Sequence, residues 1–299
     1  MMKFKTFFKY LTSGFLLFFI YYQYGHSIYK IIYLVDYKYI ILIIFISILQ
    51  YIFSAIRWMY ISKHTDLKLE FFYSLKFYYI ASFFNNILPG GIVGDIYRIY
   101  QTSVNKKEIS KMGKSLQSVI YERLSGQIML LLVFLVSLTF YFLVNAKYAA
   151  FLILFVLCFT IFFIGKIFFQ YSIKKFIITE SIRKNLNLLF SGKIFWRHLF
   201  YSFLVVSSYI LIYIISALSL NLEIDYLAFL VFSPIILFSM TLPISIGGWG
   251  IRELTALLIS FLLGLSASAS ISVSIIYGVL NLLCSFPGLL FFLYNFKLR

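Results

Sequence analysis

Arg98 and Arg252 each stand four residues after a glycine, Gly94 and Gly248, that closes a proline- and glycine-rich interruption of an apolar run. Four residues is about one helical turn, and helical side chains lean toward the N-terminus, so each guanidinium is set back over its own break. The helix restarting after a break presents unpaired N–H groups at the positive end of its dipole. Such donors beside a planar guanidinium form an anion site able to grip a phosphate through two parallel bonds. An arginine inside a bilayer costs roughly 2.5–3.5 kcal/mol on insertion scales, so two at matching positions argue for use. The competing reading is structural: Asp95 lies three residues before Arg98 and Glu253 follows Arg252, so each arginine has a carboxylate to neutralise.

The other candidates are polar residues in or near the same runs. Asp95 follows Gly94, where a helix-capping carboxylate would satisfy free N–H groups. Glu122 and Arg123 open a long apolar run and diverge by about 100° on a helix, so they point to different partners. Glu122 is a candidate to neutralise Arg98 or to relay a proton. Asn85 and Asn86 precede the first break and can bond freed carbonyls or a headgroup. Arg57, beside Trp58 and Tyr60, reads as a side chain snorkelling to the interface. Trp249 sits inside the second break, in a packing or gating position. His26, His64 and His198 are scattered, and Cys158 and Cys284 form no C-x-x-C pair, so no metal site and no cofactor are expected. There is no nucleophile elbow, P-loop or dinucleotide fingerprint, which leaves enzymatic activity without a catalytic constellation.

These residues need a membrane to make sense of them. Of 299 residues, 62% are hydrophobic, 21% aromatic and 12% charged, against about 25% charged in a soluble domain. The net charge of +16 follows from loop topology and does not indicate nucleic acid, because cytoplasmic loops retain Lys and Arg. Full spans are expected at about 10–24, 38–60, 116–144, 149–170, 198–220 and 271–295. The N-terminal residues, the segments 61–70, 105–114 and 166–197, and the C-terminus hold 18 of the 26 basic residues. That places both termini in the cytoplasm. The first run lacks a small-residue cleavage site and reads as a retained anchor.

Residues 71–104 and 227–265 do not fit as simple spans. Their centres, Leu88-Pro89-Gly90-Gly91-Ile92-Val93-Gly94-Asp95 and Leu242-Pro243-Ile244-Ser245-Ile246-Gly247-Gly248-Trp249-Gly250, break a helix. Each is expected to be a re-entrant hairpin of two half-helices. Leu88, Pro89, Ile92, Gly94 and Arg98 match Leu242, Pro243, Ile246, Gly248 and Arg252 at one fixed offset. Each half, about 1–148 and 149–299, holds two spans, a hairpin and a span, and the halves start on opposite sides. The expected fold is therefore an all-α polytopic membrane protein: about six full spans plus two broken-helix hairpins, 6–8 transmembrane segments in all, arranged as an inverted repeat in one domain. Secondary transporters place broken helices at a midplane substrate site in this way. Parallel repeats or eight continuous spans stay open.

Three motifs in order, Phe84-Asn85-x-x-Leu88-Pro89-Gly90-Gly91-x-x-Gly94-Asp95-x-x-Arg98, Glu122-Arg123-Leu124-x-Gly126 and Pro243-x-Ser245-x-Gly247-Gly248-x-Gly250-x-Arg252-Glu253, resemble the flippase-like transmembrane domain of lysylphosphatidylglycerol synthases. The family's Gly-Gly-Asp is here Val93-Gly94-Asp95. The resemblance covers nearly the whole chain and implies a stand-alone domain in the bacterial cytoplasmic membrane, without the soluble aminoacyl-transferase domain. It implies a flippase-like protein that moves or holds an anionic phospholipid or polyprenyl-linked precursor. Headgroup contact is then expected from Arg98, Arg252, Gly94, Gly248 and Asn85, with Asp95, Glu122, Arg123 and Glu253 as coupling or structural charges. Two other readings compete: a non-catalytic partner presenting a lipid-linked substrate to a glycosyltransferase, and a membrane-embedded transferase using Asp95 and Glu122 as acid and base.

Overall fold

The computed structural model describes residues 2–104, 109–145 and 192–297. Among these residues the chain is helical, with a single antiparallel bridge between Pro89 and Ile246 and no strand. The helices are α1 (Met2–Ile32), α2 (Tyr37–His64), α3 (Phe71–Ile87), α4 (Val93–Val104), α5 (Ile109–Val144), α6 (Gly192–Leu218), α7 (Tyr226–Ser239), α8 (Ile251–Leu258), α9 (Ala267–Ser285) and α10 (Pro287–Lys297). A short 3-10 turn, Ser260–Leu263, follows α8.

Among the described residues, four stretches are long and apolar enough to cross a bilayer: Tyr37–His64, Met112–Val144, Ile194–Leu218 and Ala267–Asn295. They take up the runs expected at 38–60, 116–144, 198–220 and 271–295. The run 10–24 lies inside α1 and is not one of the four, because tyrosines, a glutamine and a histidine dilute it beyond Ile20. The span expected at 149–170 lies outside the described residues. The last stretch is bent at Pro287, which takes the first position of α10, where its missing N–H costs nothing. The bend lays α10 along α3 so closely that a Cβ on Gly288 would strike the Tyr79 backbone.

Both expected breaks are present. In the first, Leu88 is extended (φ −92°, ψ 148°), as a residue before proline must be. Gly90 and Gly91 then turn the chain at φ 95° and 60°, and α4 starts at Val93. In the second, α7 ends at Ser239 and α8 starts at Ile251, with Gly247, Gly248 and Gly250 all at positive φ between them. An L-residue with a Cβ seldom tolerates such angles, so the glycines are what allow both reversals. The breaks touch each other. The Gly90 N–H donates to the Ser245 carbonyl at 3.1 Å, and a Cβ on Gly247 would overlap the Asn86 carbonyl. Helix α1 braces this junction, with the Thr12 hydroxyl donating to the Ile244 carbonyl (3.2 Å) and the Ile246 N–H donating to Ser13 (3.0 Å).

The apolar core lies among α2, α6, α7 and α9, around Ile43, Tyr213, Phe229, Val231, Ile236 and Val273. In a bilayer such packing holds helices by close van der Waals fit and buried polar contacts, since lipid tails are as apolar as the side chains. The small residues that permit close approach are the serines: Ser54, Ser74, Ser118, Ser202, Ser216, Ser233, Ser270, Ser272, Ser274 and Ser285 are all buried.

Candidate functional site

The two breaks, with residues of α2, α3, α4, α5, α6 and α9, line a cavity of about 250 Å³. Its charged lining is Arg57, Asp95, Arg98, Glu122 and Arg123; Tyr78, Asn85, Tyr209, Tyr277 and Asn281 supply further polar atoms.

The five charged groups form one alternating chain. Arg57 Nη2 donates to Glu122 Oε1 at 2.8 Å. Glu122 Oε2 accepts from Arg98 Nη1 at 2.6 Å. Arg98 Nε and Nη2 then reach Asp95 Oδ1 at 2.9 and 2.8 Å. Asp95 Oδ2 is paired with Arg123, whose Nη2 also donates to the Gly91 carbonyl at 2.8 Å. Each carboxylate thus has a guanidinium on both sides, and the chain ends on an arginine at either end. Arg98 is 2% exposed and Glu122 1%; only Arg123, with a side chain 34% exposed, stays open. Ions this deep are tolerated only when their lone pairs and protons are matched. Tyr78 adds a bond to Glu122 Oε1 (3.0 Å), and the Arg98 guanidinium lies over the rings of Trp58 (4.8 Å) and Tyr78 (5.0 Å).

Local sequence explains the placement. Asp95 and Arg98 are three apart on α4 and therefore share a face. Asp95 is not a helix cap: α4 begins at Val93, so Asp95 falls in its first turn and pairs with arginines instead. Glu122 and Arg123 diverge on α5 as helical geometry demands, one toward Arg57 and Arg98, the other toward Asp95 and Gly91.

Several expected contacts are corrected. The Gly94 N–H is no free anion donor, since it donates to Asn85 Oδ1 at 2.8 Å. A Cβ at Gly94 would also strike the Ala81 backbone, so this glycine serves the packing of α4 on α3. Asn85 lines the cavity, and its oxygen is committed to Gly94, which leaves its amide N–H groups as donors. Arg252 and Gly248 are not lining residues. Arg252, 1% exposed, is paired with Glu253, donates to Ser274 Oγ at 3.0 Å, and lies over the rings of Trp249 (4.9 Å) and Tyr277 (5.5 Å). Its guanidinium fills the space a Cβ on Gly278 would take. Glu253 in turn accepts the Gly250 N–H at 2.7 Å, which supplies the carboxylate half of a capping box at the start of α8. This second centre is a closed structural lock that touches the cavity only through Tyr277.

Arg57 is the residue that sequence reasoning misplaced. It is buried, resting against Gly126, and bonded to Glu122 and, through Nη1, to Ser202 (3.4 Å). The signal was available: Ser47, Gln50, Ser54 and Arg57 lie at helical spacing on one face of α2, and all four are buried. A polar face on a transmembrane helix points inward. Behind Ser202, Ser125 bonds both Ser202 (2.7 Å) and His198 Nδ1 (2.8 Å), extending the polar network away from the cavity.

No curated protein and no solved structure matches the chain. The family described as the lysylphosphatidylglycerol synthase TM region matches residues 7–288, a stretch that takes in both breaks, the whole charged chain and the Arg252 lock. Together with the four apolar stretches long enough to span a bilayer, this makes the chain an integral membrane protein belonging to the lysylphosphatidylglycerol synthase transmembrane-region family.

Proposed function

We propose that the protein is a flippase-like transporter that seats the phosphate-bearing headgroup of an anionic lipid in this cavity and passes it across the membrane. The observation that carries the reading is the charged chain itself: three arginines against two carboxylates at the junction of two broken hairpins. A volume of about 250 Å³ suits a headgroup and not a whole lipid, since pockets enclosing drug-sized molecules run to about 300–1,000 Å³. The acyl chains then stay in the hydrocarbon. Arg123 is the first contact because it alone is half-open, while Arg98 and Arg57 hold the carboxylates in place.

The two halves act as an inverted repeat in this scheme, with both termini in the cytoplasm. In support, each hairpin carries an arginine held between a tryptophan and a tyrosine, Arg98 by Trp58 and Tyr78, Arg252 by Trp249 and Tyr277. The tips meet through the Gly90 to Ser245 backbone hydrogen bond and the close approach of Gly247 to Asn86, contacts few enough to part. Parting at one side while the other closes would expose the headgroup to each face in turn.

The test is headgroup translocation by purified protein in proteoliposomes, with fluorescent phosphatidylglycerol as probe. Parent protein moves the probe, and Arg123→Gln, which stays folded, moves it at least about tenfold more slowly, as expected for loss of a charge-assisted contact. Tight binding without movement would instead fit a protein that holds a lipid for a partner enzyme. Equal rates for both proteins would remove the cavity from the mechanism.

A further inference from the structure

We infer that the cavity is matched to one negative charge, and hence selects a monoanionic phosphodiester headgroup over zwitterionic, phosphomonoester and cationic ones. The inference rests on the functional reading above and names its substrate class.

The argument starts from the count along the chain. Arg57, Glu122, Arg98, Asp95 and Arg123 alternate in sign, so two carboxylates neutralise two of three guanidiniums and a formal charge of +1 remains. Lys9 comes up to Gly90 but does not line the cavity. Among the described residues, no other Lys, Arg, Asp or Glu is in the lining. In a low-dielectric setting an uncompensated charge is costly, so a ligand that cancels it is favoured and one that overshoots or adds to it is not. A phosphodiester carries one negative charge. A phosphomonoester approaches two, a phosphocholine headgroup carries none net, and a lysylated glycerol headgroup is net positive.

The unspent donors point the same way. Both carboxylates are filled by guanidiniums on either side, so they offer a ligand little. The ends of the chain are different. Arg57 Nε is buried with no hydrogen-bond partner among the described residues. Arg123 makes its bonds to Gly91 and Asp95 through Nη2 and keeps a third of its side chain exposed. The Asn85 amide N–H groups are left over after its oxygen takes Gly94. The Tyr277 hydroxyl, in the cavity wall, is buried without a hydrogen-bond partner among the described residues. The residual positive charge and the open N–H and O–H donors are therefore in one cavity, which is what a phosphodiester's two charge-bearing oxygens require.

The experiment is competition binding to purified full-length protein in detergent micelles. Unlabelled lipids displace fluorescent phosphatidylglycerol: phosphatidylglycerol, phosphatidylcholine, phosphatidic acid and lysylphosphatidylglycerol. Phosphatidylglycerol is expected to displace at concentrations about tenfold or more below each of the others. In Arg123→Gln the chain sums to zero, and the preference over phosphatidylcholine should collapse. In Asp95→Asn it sums to +2, and phosphatidic acid should overtake phosphatidylglycerol. Equal displacement by all four lipids, a preference for any of the other three in the parent, or preferences unmoved by both substitutions would overturn the inference. Because the readout is binding, selective binding without translocation in proteoliposomes would sustain this inference while refuting the transport reading.

Discussion

Replacing Glu122 by Gln should be far more damaging to stability than its small change in shape suggests. Glu122 accepts three bonds: from Arg57 Nη2 (2.8 Å), Arg98 Nη1 (2.6 Å) and the Tyr78 hydroxyl (3.0 Å). Gln keeps one acceptor oxygen and turns the other site into an N–H₂ that faces a guanidinium donor. The chain then holds three guanidiniums against one carboxylate, with Arg57 and Arg98 both buried. Breaking a buried ion pair by removing one partner costs about 3–5 kcal/mol. Arg123→Gln is the internal control: its side chain is 34% exposed and Asp95 keeps both bonds to Arg98, so its loss should be the smaller, on the order of 1 kcal/mol. Equilibrium unfolding of both variants in mixed detergent, followed by tryptophan fluorescence, measures the contrast. A loss below about 1 kcal/mol for Glu122→Gln would show that Glu122 does not bridge the two arginines and would undo the charge count built on it.

Gly278→Ala should lower stability by about 1–3 kcal/mol, because the new Cβ meets the Arg252 guanidinium and the Glu253 lock must shift; thermal unfolding checks it. Asn85→Ala leaves the Gly94 N–H without its acceptor and should cost about 0.5–2 kcal/mol, read in the same unfolding assay. Arg98→Lys keeps the charge but cannot span Asp95 and Glu122 with a planar fork, so translocation in proteoliposomes should fall more than expression does. Single cysteines placed at Lys68 and Lys114, with Cys158 and Cys284 replaced, should react with an impermeant maleimide only after permeabilisation. Labelling in intact cells would reverse the proposed orientation.

The breaks were legible in the sequence because proline and glycine act locally: Pro89 fixes the residue before it, and the glycines supply the positive φ angles the reversals need. Glu122 and Arg123 were assigned to different partners because helical geometry alone separates adjacent residues. Arg252 was harder. Its resemblance to Arg98 in register is real, but register does not say what fills the surrounding space. The partner that decides the matter is Gly278 on α9, whose missing side chain makes room for the guanidinium. Arg57 was misread for a related reason. Trp and Tyr neighbours suggest an interface, yet the inward polar face of α2 outweighs them once Glu122 on α5 is packed against it. Gly94 shows the limit of reasoning from one element: an N–H at a helix start is free only if no neighbouring chain, here Asn85, has already taken it.

The most direct measurement of the central claim is photo-crosslinking in proteoliposomes with phosphatidylglycerol carrying a photoreactive group on its headgroup, followed by mapping of the adducts. A headgroup seated between the two breaks predicts adducts on lining residues such as Gln127, Thr241 and Asn281, suppressed in Arg123→Gln. Adducts confined to the lipid-facing surface, at residues such as Phe140 or Phe261, and equal in both proteins would contradict it.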